Sequence, residues 1–143
     1  MMDRAIMDYR SRVVMAVQAT ASGADDYLLP SPGAKSQILR CIVTMGNAAD
    51  LVLTPKTADN ATGTNATGLA ENVPIFKDGV AQTAAKALTV GDATGNFIVD
   101  FVIDPAIIPA GKYIGMSYAD SHADNLMTCI LIEDAAYKPT PAA

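Results

Sequence analysis

Apolar and polar residues alternate along this chain in short runs, and Gly, Pro, Asn and Asp separate the runs at short intervals. The run FIVDFVID (97–104) shows the alternation best. Because successive side chains of a strand point to opposite faces, one face of this strand takes Phe97, Val99, Phe101 and Ile103. We predict that this face is core. The opposite face takes two carboxylates, so we predict that it meets solvent or a partner.

Two other runs, QILRCIVTM (37–45) and LMTCILIE (126–133), are apolar on both sides. This pattern predicts central strands that are covered on both faces. Each run contains one of the two cysteines, Cys41 and Cys129. Buried free thiols are the expected state, and a disulfide between neighbouring strands is the alternative.

Turn residues predict how the strands connect. Gly46-Asn47 precedes DLVLTPK (50–56), which we expect to form a hairpin with 37–45. Pro55 has no backbone N–H, so this strand should end there or lie at a sheet edge. VPIFKDGV (73–80) runs into Asp78-Gly79, a pair that supplies the positive φ of a tight hairpin, and AKALTV (85–90) is the expected returning strand.

Together these signals predict an all-β fold, a two-sheet antiparallel β-sandwich of the jelly-roll or Greek-key kind with an N-terminal arm. A closed barrel is the alternative that the pattern leaves open. The predicted domains are an arm over 1–20, a sandwich over 21–138 and a flexible tail over 139–143. The prolines at 139 and 141 should keep the tail out of regular structure.

Composition changes this picture in one respect. Only 17% of the 143 residues are charged, whereas about 25% is usual for a soluble domain. We therefore expect another subunit to cover part of the surface. The net charge of −5, with no basic stripe along the body of the chain, argues against nucleic-acid binding and against a polybasic membrane anchor. No apolar run is long enough to span a membrane, and the N-terminus does not resemble a signal peptide.

Candidate chemistry is sparse. His122 lies between Asp120 and Asp124, but no third ligand stands at a recognisable distance, so a solvated turn is the favoured interpretation. The loop from Asp59 to Asn65 faintly resembles a calcium loop, yet its spacing lacks the closing Glu. The sequence therefore predicts no catalytic residues, no cofactor and no metal, and a protein that is not an enzyme.

The N-terminal segment has a charge that differs from the rest of the chain. Residues 4–12 carry three arginines against one acid. As an arm, the segment could bury its apolar residues on a partner and pair its arginines with partner carboxylates. The expected contact set is Arg4, Ile6, Tyr9, Arg10, Arg12 and Val13. The alternative is that VVMAV (13–17) is simply the first strand of the sandwich and the arginines are solvated.

Two longer stretches resemble a known class of protein. QILRCIVTMGNAADLVLTPKTADNATG and GNFIVDFVIDPAIIPAGKYIGMSYADSHADNLMTCILIEDAAYKP are similar to the two halves of bacteriophage capsid decoration (cement) proteins. The resemblance covers roughly residues 27–138 and lies in the pattern of strands and loops. It implies a jelly-roll-like domain, often a homotrimer, that is assembled in the host cytoplasm. Such a protein binds the major capsid protein on the outer surface of the virion and reinforces the head.

A second function remains as an alternative. A β-sandwich of a phage tail fibre or host-adsorption device could bind a glycan with the loops at 57–72 and 119–125. Glycan sites usually stack sugars on exposed aromatic side chains, and this chain has no tryptophan. A glycan array would distinguish the two functions.

Overall fold

The computed structural model describes residues 9–21, 25–91, 93–119 and 121–134. Some of the sequence predictions concern residues outside these ranges. They are the tail at 139–143, Asp120, and two members of the expected contact set, Arg4 and Ile6.

Strands dominate the described part of the chain. They are β1 (Tyr9–Ala19), β2 (Tyr27–Leu28), β3 (Gln37–Met45), β4 (Leu51–Ala58), β5 (Thr67–Gly68), β6 (Ile75–Lys77), β7 (Val80–Ala81), β8 (Leu88–Val90), β9 (Gly95–Ile103), β10 (Tyr113–Tyr118) and β11 (Asn125–Asp134). A short 3-10 turn covers Pro105–Ile107 and is capped by the Asp104 carboxylate, which accepts from the N–H of Ala106. No helix within the described ranges has the length and apolar character that a membrane crossing requires.

The strands form two antiparallel sheets. The six-stranded sheet has the order β1-β11-β3-β9-β6-β7, and the five-stranded sheet has the order β2-β10-β4-β5, with β8 also paired to β4. Strands that are distant in sequence, such as β3 and β11, are neighbours, as in Greek-key sandwiches. The predicted all-β, two-sheet antiparallel β-sandwich is therefore confirmed.

The core lies between the two sheets and follows the alternation of the strands. In β9 the buried residues are Val99, Phe101 and Ile103, while Phe97 at the end of the row is half-buried. The six-stranded sheet also contributes Leu39 and Leu131, and the five-stranded sheet contributes Leu51, Leu53, Ile114 and Met116. All belong to one hydrophobic cluster, so the core face predicted for 97–104 is confirmed.

Two predicted hairpins are wrong. β3 and β4 lie in different sheets, so the turn at Gly46-Asn47 is a corner between layers. Asn125 holds this corner, because its Oδ1 accepts from the N–H of Asn47 at 2.8 Å. The Asp78-Gly79 turn does have positive φ at both residues, but the returning strand is the two-residue β7. β8, the end of the predicted returning strand, pairs with β4 in the other sheet.

The N-terminal segment is also corrected. Residues 9–19 do not extend from the sandwich as an arm, because they form β1 and pair with β11 along the edge of the six-stranded sheet. The structure agrees with the alternative in that VVMAV belongs to the first strand. It differs from it in that Arg10 and Arg12 bind Glu133. The register of β1 shifts twice, between Val13 and Met15 and between Met15 and Gln18.

Cys41 and Cys129 face each other across β3 and β11, and both are free and fully buried. The expectation of buried free thiols is confirmed. A hydrogen bond with Cys129, together with burial, raises the pKa of the Cys41 thiol well above its ordinary value. The nucleophilic thiolate form is therefore suppressed.

We expect neither cysteine to react with a bulky thiol reagent in the native protein at pH 8. Both should react once the chain is unfolded in denaturant, because only then does solvent reach the sulfur atoms. Colorimetric thiol titration of native and denatured samples measures this difference. Rapid labelling of the native protein would show that β3 and β11 separate readily.

Candidate interaction surface

The outer side of the six-stranded sheet carries a broad apolar surface. Residues whose neighbours in sequence point into the core must point outward from this sheet. We call the surface that they form the open face. Its members are Val13 of β1, Leu126, Thr128, Ile130 and Ile132 of β11, Ile38, Arg40, Ile42 and Thr44 of β3, Asn96, Ile98, Asp100 and Val102 of β9, and Phe76 of β6.

The register aligns these residues in rows across the sheet. One row joins Ile132, Ile38 and Val102. A second row, separated from the first by the row of Arg40, joins Thr128, Ile42 and Ile98. Branched side chains that stand directly opposite each other pack into a continuous layer. Ile42 and Ile98 nevertheless remain 40% exposed, because the described residues place no second layer over them. A contiguous apolar patch of this kind usually marks a contact with another protein.

The middle row carries the charges of the open face. Arg40 and Asp100 are paired in register, and the guanidinium binds the carboxylate through two bonds, Nε–Oδ1 at 2.7 Å and Nη2–Oδ2 at 3.0 Å. The hydrogen bonds to Asp100 raise the pKa of Arg40 above its ordinary value. Such a two-pronged pair is geometrically specific, and it neutralises the row within one chain.

The outer side of the five-stranded sheet is different in character. Its outward positions on β4 are Val52, Thr54 and Lys56, and Ser117 of β10 pairs with Thr54. Beside them Gly115 allows Tyr27 to lie close to the sheet, since an added Cβ would meet the Tyr27 ring at 2.5 Å. This side is polar and partly covered by the chain itself. The two outer sides of the sandwich therefore differ, and only the six-stranded sheet presents an apolar one among the described residues.

The expected contact set is divided by the structure. Val13 lies on the open face and is 63% exposed. Tyr9 is the first residue of β1. Arg10 and Arg12 point to one end of the sandwich, where they meet Glu133 of β11.

We call Arg10, Arg12, Ser31 and Glu133 the end cluster. Arg12 donates to Glu133 Oε1 from Nε at 2.9 Å and to the carbonyl of Leu29 at 2.8 Å. Arg10 hydrogen-bonds Ser31 Oγ, and both the N–H and the hydroxyl of Ser31 donate to the Glu133 carboxylate, which is fully buried. The two guanidinium groups thus bind within the chain and tie its first and last described strands to the 29–31 loop.

The polar loops singled out from the sequence are satisfied internally. His122 Nδ1 accepts from the N–H of Asp124 at 3.1 Å, which is the geometry of a turn. Asn60 Oδ1 accepts from the N–H groups of Thr62 and Thr64, both at 3.1 Å, and the carboxylate of Asp59 binds Lys112. The bonds from Lys112 and Asn65 lower the pKa of Asp59. Within the described ranges, no three His, Cys, Asp or Glu side chains are grouped to hold a metal.

A small cleft lies at the same end as the end cluster. It has a volume of about 150 Å³ between the 29–34 and 105–112 segments, and Gln37 is one of its lining residues. Gln37 is 2% exposed, and its Oε1 has no hydrogen-bond partner among the described residues. The cleft could hold a few water molecules that donate to this oxygen.

Sequence reasoning missed most of the open face, although its signal was present. Ile38 and Ile42 of β3, like Ile130 and Ile132 of β11, made both faces of these strands apolar. This pattern predicted burial on both sides. The structure covers one side with the other sheet and leaves the second side open.

Comparison with known proteins gives no relative. No protein-family model, no curated protein and no solved structure matches this chain.

Proposed function

We propose that this chain is a structural virion protein that decorates a bacteriophage head and stabilises it by binding the lattice of the major capsid protein. The observation that carries the proposal is the open face. Its isoleucines and valines stay partly exposed around Arg40 and Asp100, which pair with each other within the chain. Burial of such a surface against another protein subunit is favourable, because it removes apolar side chains from water.

Two further features support a role in a protein lattice. The chain has few charged residues, so a partner can cover part of its surface without burying many charges. The long strands β3, β9 and β11 pair along their full lengths, which makes the open face rigid. A rigid apolar surface binds with a small entropic cost because few groups are ordered on contact. The resemblance of residues 27–138 to decoration proteins supplies the particular lattice that we propose.

The end cluster changes which residues are expected to contact that lattice. Because Arg10 and Arg12 already bind Glu133, they are poor candidates for pairing with carboxylates of the capsid. Val13 lies on the open face and remains a candidate contact.

We expect the purified protein to co-sediment with undecorated heads of the phage that encodes it, and to raise the temperature at which those heads rupture. Since the proposed contact is apolar, binding should persist at high salt, where exposed ion pairs are screened. Sedimentation at low and high ionic strength, with fluorescence thermal scans of the heads, measures both effects. Failure to bind the heads at any ionic strength would reject the proposed function.

The glycan-binding alternative predicts a different result. A glycan array probed with the same preparation would then show selective binding. The side chains of Asn60, Thr62 and Thr64 bond to one another or to their own backbone, which leaves fewer groups for a sugar. We therefore expect no selective signal on the array.

A further inference from the structure

We infer that the open face binds the open face of a second copy of this chain across a two-fold axis, so that the protein is a dimer. The inference rests on the open face, as the proposed function does. It names a second copy of this chain as a partner of that face. Three observations carry it: the size of the face, its charge, and the absence, among the described residues, of a comparable apolar surface on the other sheet.

The size of the open face approaches that of a standard protein interface. The strands β3, β9 and β11 have 9, 9 and 10 residues, so at about 3.3 Å per residue the face is about 30 Å long. These strands with their flanking neighbours β1 and β6 span about 20 Å at roughly 4.8 Å per strand. The resulting area, roughly 600 Å², approaches the ~800 Å² per partner of standard interfaces.

Charge favours contact between copies at this face. Each copy has a net charge of −5, so two copies repel each other over most of their surfaces. On the described outward positions of β3, β9 and β11, Arg40 and Asp100 neutralise each other, and the remaining charge is Asp134 at one end. The Arg40–Asp100 pair needs no ion from a partner. Its two hydrogen bonds limit the free-energy cost of removing the two charges from water.

Symmetry favours a pair over a ring. A ring of three needs two different complementary surfaces on each copy, whereas a two-fold pair needs only one surface that meets itself. The outer side of the five-stranded sheet offers Thr54, Lys56 and Ser117, which do not complement an apolar layer. Two open faces can instead pack as the sheets of a sandwich do, about 10 Å apart. This assembly differs from the homotrimer that the resemblance implies.

Pairing through the edge of β1 is a weaker route to self-association. The two register shifts of β1 bulge its backbone. Bulges twist an edge strand and interrupt the row of N–H and C=O groups that an added strand would need. The contact is therefore expected across the face of the sheet.

Light scattering coupled to size-exclusion chromatography tests the inference on the full chain. The expected mass is twice the 14.9 kDa of one copy. Ile42→Lys puts a charge at the centre of the face, on a side chain that is already 40% exposed, and should give a folded monomer with the dimer affinity reduced at least 100-fold. Val80→Lys is the control: Val80 is 64% exposed on the opposite side of the same sheet, so the mass should stay double.

A mixing experiment tests the symmetry itself. Ile42→Lys and Ile42→Glu should each be monomeric, and an equimolar mixture should regain the double mass, because opposite charges then meet across the axis. Circular dichroism establishes that each variant is folded. A monomeric wild type, a triple mass, or an Ile42→Lys protein that stays dimeric would each overturn the inference.

Binding of the same proteins to undecorated heads separates this inference from the proposed function. A wild-type dimer that does not bind heads would leave the inference standing and reject the decoration function. A wild-type monomer that binds heads, while Ile42→Lys does not, would assign the open face to the capsid and overturn the dimer. Because one open face cannot bind a second copy and the capsid at once, a wild-type dimer that binds heads as single copies supports both. A dimer that binds heads with its open faces still paired would leave the inference standing and would reject the open face as the capsid contact.

Discussion

Phe101→Ala is expected to lower the free energy of unfolding by about 3–5 kcal/mol. Phe101 is fully buried in β9 and lies between Leu39 of β3 and Ile75 of β6 in the register. Neighbours that are held in paired strands cannot collapse into the space, so the substitution costs both the transfer energy of the ring and the cavity that remains. Urea denaturation followed by circular dichroism measures the loss as a lower midpoint at unchanged slope.

Val52→Ala provides the control for this prediction. Val52 is half-buried on the outer side of β4, away from both the core and the open face. Its truncation should cost less than about 1 kcal/mol, since a partly solvated site leaves no closed cavity. Equal losses for the two variants would contradict the placement of the core between the sheets.

The strands could be predicted from sequence where alternation is strong. The predicted strand 37–45 has the bounds of β3, and the face of 97–104 predicted to be core contains Val99, Phe101 and Ile103. Alternation is a local property, because the side-chain direction of each residue follows from its own backbone. No knowledge of the partner strand is needed to read it.

Strand pairing could not be predicted in the same way. Gly46-Asn47 closes a corner between sheets, whereas Asp78-Gly79 closes a hairpin, and both consist of residues that favour turns. What distinguishes them is a distant contact, the bond from the Asn47 N–H to Asn125. Likewise, nothing near Arg40 in sequence shows that its partner is Asp100 on another strand.

The open face could be predicted only in part. The half-polar side of 97–104 was expected to meet solvent or a partner, and it lies on the open face. The isoleucines of β3 and β11 were expected to be buried, because an apolar strand face predicts a covering layer without showing whether that layer comes from the same chain. The proposed dimer is one answer, in which the covering layer is a second copy.

The fate of the N-terminal arginines required the structure. Three arginines near one end of an acidic chain indicated an external partner. Arg12 instead binds Glu133, which is 121 residues away in sequence. Only the antiparallel pairing of β1 with β11 brings the two together.

Arg12→Met is expected to lower the free energy of unfolding by about 2–3 kcal/mol. The substitution leaves the charged Glu133 carboxylate fully buried without its nearest cation. Its remaining partners are the hydrogen bonds from Ser31 and the more distant Arg10 guanidinium. The loss should be smaller than for a wholly buried ion pair, because the side chain of Arg12 is 32% exposed. Urea denaturation of the variant beside the wild type measures it.

Glu133→Gln tests which partner dominates the end cluster. This variant leaves two arginines that are partly exposed, so water can solvate them, and the expected loss is about 1 kcal/mol. The double variant Arg12→Met with Glu133→Met should regain part of the stability lost in Arg12→Met, because no unpaired charge then remains at the position of the buried carboxylate. Arg12→Met should lower the free energy of unfolding more than Glu133→Gln does. Equal losses would contradict the view that this ion pair matters because the Glu133 carboxylate is buried.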